Sequence, residues 1–190
     1  MSPRKSAAGL TRYIAFLRAI NVGGHVVKMD ALRTHFESLR LANVETFIAS
    51  GNVIFDAPTG GATSLEEEIE HQLAKKLGYE VATFLRAPTE LAAVVAQQPF
   101  GATDPLDDGH TLSVGFVKSA PSSAALTKLQ AHVSEIDDFR IVGREVFWLC
   151  RTRTSDSKFS GARLEKLLAS PATFRNVTTV RKLAAKYQAK

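Results

Sequence analysis

The order in which two kinds of hydrophobic pattern follow one another is the strongest constraint on how this chain can fold. Residues 13–17, YIAFL, make an apolar run of strand length, broken by Asn21-Val22-Gly23-Gly24, where Asn and Gly tolerate a positive φ. A helix is expected from Asp30 as N-cap, with Leu32, Phe36 and Leu39 on one stripe. Residues 44–49 and 53–55 read as two strands around the turn Ser50-Gly51-Asn52. Ser64-Leu65-Glu66-Glu67 reads as a capping box ahead of a stripe of Leu65, Ile69, Leu73 and Leu77, and Gly78 supplies the C-terminal stop. Residues 81–85 return as a strand, and Pro88 opens a helix carrying Leu91, Val94 and Val95.

After a Pro-, Gly- and Asp-rich stretch the same order recurs. A strand at 112–117 precedes a helix from Pro121 with Leu126, Leu129 and Val133. Strands at 139–142 and 145–150 flank the turn Gly143-Arg144, and a helix with Leu164, Leu167 and Leu168 ends before Pro171. Thr173-Phe174 adds a brief strand, and Val177, Val180, Leu183, Ala184 and Tyr187 stripe a last helix. The expected fold class is α+β, with two ferredoxin-like βαββα(β) subdomains related by internal duplication in the order of elements. The expected domains are a disordered arm at 1–10, an N-terminal subdomain at 11–97, a linker at 98–110 and a C-terminal subdomain at 111–190. Read as a calcium loop from Asp104, the linker has Leu106 at position 3 and Gly115 at position 12, so it lacks the required oxygen ligands.

Nothing in the 190 residues approaches the roughly 20 apolar residues of a membrane span, and the start lacks an apolar signal core, so a cytoplasmic location without membrane association is expected. The single cysteine, Cys150, excludes an intrachain disulfide and sits in an apolar run, which reads as a buried, inert thiol. The net charge of +5 is unevenly spread: residues 1–29 carry five basic groups and no acid, residues 151–190 ten against two, and residues 30–150 nine against seventeen. Basic chain ends point to an anionic partner.

Three segments carry a family likeness. Residues 18–24 (RAINVGG), 47–55 (FIASGNVIF) and 172–180 (ATFRNVTTV), with Lys28-Met29, Gln98-Pro99-Phe100 and Ser157-Lys158, together resemble the DUF1697 family of uncharacterised bacterial proteins. The resemblance implies a two-subdomain α+β fold with internal duplication and no established activity. The family often has Gly where Ala19 stands, Gln at the place of Ala49 and Trp at that of Val177, so a polar group and an indole are missing here.

The same segments hold the candidate site. Amides freed by Gly23 and Gly24 beside Arg18 and Lys28, and the last helix's start at Arg175 and Asn176, both suit an anion. The expectation is one cleft between subdomains for a small phosphate- or carboxylate-bearing ligand, lined by Arg18, Asn21, Gly23, Gly24, Lys28, Ser50, Asn52, Arg175 and Asn176. The local alternative is turn and cap chemistry alone. Two further readings are a nonspecific nucleic-acid surface made of Arg151, Arg153, Lys158, Arg163, Arg181, Lys182 and Lys186, and a ligand-free module that self-associates through open sheet edges and the run 147–149. Standard nucleotide, zinc-protease and serine-hydrolase motifs are missing, and the five histidines lack metal-ligand spacing, so no cofactor or metal is implied. Whether a reaction is catalysed, and whether the chain is monomeric or a homodimer, stays open at this level.

Overall fold

The continuous apolar run of the first strand decides the architecture of the N-terminal half. In the computed structural model, which describes residues 9–21, 24, 26–48 and 51–188, strand β1 spans Leu10–Leu17. Helix α1 (Met29–Glu37), β2 (Ala42–Phe47), β3 (Asn52–Pro58), α2 (Ala62–Leu77) and β4 (Thr83–Arg86) follow. The strands form one antiparallel sheet in the order β2-β3-β1-β4. Tyr13, Ala15 and Leu17 point to a core shared with Leu32 and Phe36 of α1 and Ile69 and Leu73 of α2. The alternate residues Ile14 and Phe16 are equally buried, so β1 is apolar on both faces and reads as a continuous run.

The chain divides at Pro88, and residues 89–190 form the second unit. Helix α3 (Pro88–Ala96), a 3-10 turn at Pro105–Asp108, β5 (Thr111–Phe116), α4 (Ser123–Gln130), β6 (Asp137–Val142), β7 (Glu145–Cys150), α5 (Gly161–Leu168), β8 (Thr173–Asn176) and α6 (Val177–Lys186) complete it. Its sheet runs β6-β7-β5-β8, the same order as in the first unit. Phe139, Val146, Trp148 and Cys150 pack with Leu129 of α4 and Leu164 and Leu168 of α5. The sequence boundary at 98–110 falls later than the division at Pro88. Glu90 of α3 meets Arg144 at 2.6 Å, Phe100 lies under the Arg140 guanidinium, and Asp104 pairs with Arg181 at 2.6 Å, so the stretch expected to be a linker is fastened to the second unit.

Several local expectations give way to specific contacts. Residues 1–8 of the expected arm lie outside the described residues, but Leu10 is already in β1, opposite Pro58. Lys28, not Asp30, is the N-cap of α1, and its side chain makes no capping hydrogen bond. The capping box does not form: α2 starts at Ala62 behind Gly61, and the Ser64 hydroxyl donates to the Gly61 carbonyl at 2.8 Å. Strand β2 starts and ends two residues before expectation, because Ile48 turns into the left-handed region at φ 51° and closes the strand at Phe47. Helix α4 begins behind Ser122, which accepts from the Ala125 amide, and leaves Val133 beyond its end and exposed.

Both units protect edge strands with side chains. In β4, the Leu85 amide donates to Glu66 at 2.8 Å and the Thr83 amide to Glu70 at 2.7 Å, both carboxylates reaching over from α2. Glu165 of α5 accepts from the Ala172 amide, just ahead of β8, at 2.8 Å. On β6, the Phe139 amide donates to the Asp138 carboxylate and the Phe139 carbonyl accepts from Gln130, each at 2.8 Å. Edge groups satisfied in this way do not offer a template for strand pairing.

Opposite each other on β1 and β3, Arg12 and Asp56 make a bidentate pair at 2.7 and 3.1 Å, and Asn43 donates to the same carboxylate at 2.7 Å. The Arg12 hydrogen bonds hold the Asp56 carboxyl below its ordinary range, with Asn43 adding to the effect and burial opposing it. Because the folded value lies under the unfolded one, the stabilisation is complete above the unfolded pKa near 3.9 and is lost as pH falls through the folded value. Arg12→Ala is therefore expected to cost about 1 kcal/mol at neutral pH, the half-exposed guanidinium limiting the effect, and less at an acid pH below the unfolded value. Urea unfolding of both proteins at the two pH values checks this, and an equal difference at both would refute it.

Candidate functional site

Two connections leave the same end of the first sheet and are locked together at their bases. The Leu17 amide donates to the Gly51 carbonyl at 2.9 Å, joining the end of β1 to the β2–β3 turn. Gly51 has φ 71°, and a Cβ there would stand 2.4 Å from Ile20 Cγ2, so this glycine is required both by its backbone and by the close approach of the neighbouring loop. The Arg18 amide donates to the Ala82 carbonyl at 2.8 Å, and the Tyr79 hydroxyl donates to the Ile20 carbonyl at 3.1 Å. Burial pushes the Tyr79 phenol above its ordinary pKa. Asn21 Oδ1 accepts from the Val27 amide at 2.7 Å and closes residues 21–27 into a loop.

Above these anchors the backbone is strained. Ala19 and Ile48, neither a glycine, sit at φ 55° and 51°, and for the β-branched Ile48 this conformation is a genuine outlier. Gly24 also has a positive φ, 88°. Val26 is 84% exposed and Ile48 53% exposed, so each connection displays an apolar side chain to solvent. Arg18 stands half-buried at one foot of the 18–28 connection and Lys28 exposed at the other. Lys28 precedes the first amides of α1, and its own carbonyl accepts from Leu32.

Of the sequence candidates, Arg18, Asn21, Gly24 and Lys28 lie on this end of the first unit, while Gly23 and Ser50 lie outside the described residues. Asn52 corrects the expectation of a ligand-facing side chain: it is fully buried and its amide donates to the Phe47 carbonyl at 3.0 Å, bracing the hairpin. Arg175 and Asn176 belong to the second unit. Arg175 is not at the start of the last helix but within β8, where it donates to Thr173 Oγ1 at 2.8 Å and to the Phe174 carbonyl at 2.9 Å; burial lowers its pKa to about 10. Asn176 is the N-cap of α6, accepting from the Thr178 amide at 2.8 Å.

The first unit has a comparable buried cation that sequence reading passed over. Arg86, 1% exposed in β4, donates to the Leu85 carbonyl at 2.8 Å. Glu66 was also missed, although it stands three residues before Ile69 and seven before Leu73, a carboxylate on the buried stripe of α2. In the basic C-terminal segment, Arg151 meets Asp138 at 3.3 Å and Arg181 meets Asp104, which reduces the positive surface offered to nucleic acid. Cys150 is buried, its thiol donates to the Thr152 carbonyl at 3.3 Å, and burial raises its pKa, as suits an inert side chain. Among the described residues no group of three or more His, Cys, Asp or Glu could hold a metal ion, and no helix is long and apolar enough to cross a membrane.

The family profile described as protein of unknown function, DUF1697, matches residues 10–147. This chain belongs to the DUF1697 family. The matched span holds the whole of the first unit's strand and helix succession, and it ends before residues 172–180. A solved structure, that of the conserved bacterial protein SP0830 from Streptococcus pneumoniae, superposes on this DUF1697 protein with a TM-score of 0.74 at 24% identity, covering 95% of this chain and all of the other. At that identity the likeness establishes the fold alone. No curated protein matches this DUF1697 chain.

Proposed function

We propose that this protein binds a small anionic ligand, bearing phosphate or carboxylate, at the loop end of the first sheet. The observation that carries the reading is the stored strain at Ala19 and Ile48. A sheet of this strand order does not need it. In the second unit, the corresponding connections are residues 117–122 and the Gly143-Arg144 turn, and there the only positive φ is that of Gly143, at 59°. Strain of about 1–3 kcal/mol per residue persists where surrounding structure over-determines it, and such positions cluster at ligand sites. Arg18 and Lys28 supply positive charge at the two feet of the longer connection, and the first α1 amides, which the Lys28 side chain does not cap, add a donor array.

The same reading takes each unit as a ferredoxin-like βαββαβ fold and the pair as an internal duplication. The shared strand order and the carboxylates that the second helix of each unit directs at its last strand support it. Copies that began alike then differ where function has lengthened one of them.

The test is thermal denaturation in the presence of inorganic phosphate, sugar phosphates, nucleotides and dicarboxylates. At least one is expected to raise the melting temperature in a concentration-dependent way, about 2.7 kcal/mol of stabilisation being available at a hundredfold excess over Kd. Arg18→Ala and Lys28→Ala should each lessen the rise. Arg175→Ala reports whether the second unit's arginine contributes to the same binding. No shift with any of these ligands, or a shift untouched by both first-unit variants, overturns the proposal.

A further inference from the structure

The second unit carries a lengthened connection of its own, at a different place. Between β3 and α2 the first unit spends only residues 59–61, whereas between β7 and α5 the second spends residues 151–160. With the same strand order on both sides, the extra chain is not a requirement of the fold. It forms one wall of a groove of about 580 Å³, whose other wall is the α4–β6 connection at 131–136.

The wall is held rigidly from beneath. Asp137 is 3% exposed and accepts the Ser157 hydroxyl on both carboxylate oxygens, at 2.9 Å each, as well as the Trp148 indole N–H at 2.7 Å. Ser157 Oγ in turn accepts from the Phe159 amide at 2.9 Å. Phe159 forms part of the groove lining, with the His132 ring edge-on at 5.6 Å and the Arg163 guanidinium over its face at 4.6 Å. Val133 and Ile136 are exposed from the opposite wall, 41% and 44% accessible. The rim carries both signs: Lys158 and Arg163 against Glu135 and Asp156, all exposed.

We infer that this groove is a binding site for a short zwitterionic peptide with apolar side chains. An apolar lining with a few placed charges and a volume within about 300–1,000 Å³ is the ordinary form of a small-ligand pocket. A simple anion would be repelled by Asp156 and Glu135, and a simple cation by Lys158 and Arg163. A peptide with free ends uses both pairs: its carboxylate meets the basic side chains, its ammonium the acidic ones, and its apolar residues cover the exposed Val133 and Ile136. The Asp137–Ser157 anchor fixes the wall before the ligand arrives, which lowers the ordering cost of binding.

Nuclear magnetic resonance titration of the full chain with the unblocked tripeptide Leu-Phe-Leu provides the test. Saturable shifts are expected in the amides of 132–136 and 156–163, with the acetylated and amidated tripeptide at least about tenfold weaker, the equivalent of 1.4 kcal/mol. Arg163→Glu and Asp156→Lys, both on exposed positions, are each expected to weaken binding by about tenfold while leaving the far-ultraviolet spectrum unchanged. The inference is overturned by an absence of saturable shifts at millimolar peptide, by equal affinity for the blocked peptide, or by equal affinity for 3-phenylpropionate, which would mark a site for apolar acids instead.

Discussion

Asp137→Ala should lower the stability of this protein by about 3 kcal/mol, because it deletes the acceptor for two donors at a nearly buried position. Trp148 Nε1 and Ser157 Oγ both end on that carboxylate, and Asp137 is almost fully buried. A buried donor left without a partner costs about 1–3 kcal/mol by itself, and the loss at Ser157 also releases the turn that presents the Phe159 amide. For a chain of this size, ~3 kcal/mol corresponds to a fall in melting temperature of roughly 6–12 °C. Asp137→Asn, which keeps an acceptor oxygen for the indole, should lose about half as much. Thermal unfolding followed by circular dichroism checks both, and a loss below ~1 kcal/mol for the alanine variant would show that the indole and the hydroxyl find other partners.

The second large effect concerns a glycine that no turn requires. Gly115 lies in the middle of β5, opposite Phe174, and a Cβ built on it would stand 2.4 Å from Cε1 and 2.7 Å from Cζ of that ring. The neighbouring Trp148 packs edge-on against the same ring at 6.5 Å, so the phenyl group cannot swing aside without disturbing the indole. Gly115→Ala is expected to cost about 2 kcal/mol, in the range of overpacked cores. Combining it with Phe174→Leu should return at least ~1 kcal/mol, an interaction energy measurable in a double-mutant cycle by urea unfolding. Strict additivity of the two single effects would refute the steric account.

The fold was largely legible because strand and helix periods differ, and that difference survives in any one sequence. Strand β7 was placed at 145–150, as observed, since its apolar run is bounded by a Gly-containing turn and a polar stretch. The errors have a common physical origin: a local signal lost to a tertiary contact. Ser64 has the residue type of a cap, but the helix extends back to Gly61 and the hydroxyl bonds inside the first turn. Ile48 continues the apolar pattern of β2, yet its backbone is turned to bring the β2–β3 hairpin against the 18–28 loop.

The candidate site was legible in part for the same reason. Glycine, asparagine and arginine at strand ends can be seen in the sequence, and Arg18, Asn21, Gly24 and Lys28 lie along one connection and its feet. The burial of Asn52 was not visible, because an amide that braces a hairpin and one that meets a ligand use the same residue type. Tyr79 was unreadable as a loop anchor, being separated from Ile20 by 59 positions. The groove at 131–163 was likewise hidden, since a buried carboxylate holding a distant serine leaves no periodic trace.

The carboxylates that Glu66 and Glu70 turn toward β4, and the Asp138 and Gln130 side chains on β6, reach beyond the stability of single strands. An extended polypeptide drifting alongside β4 at Thr83 and Leu85, or alongside β6 at Phe139, meets groups that are already occupied, so it cannot lengthen the ladder there. Crowded in a cell or concentrated in a tube, these molecules are thereby guarded along β4 and β6 against the runaway stacking that ends in fibrils.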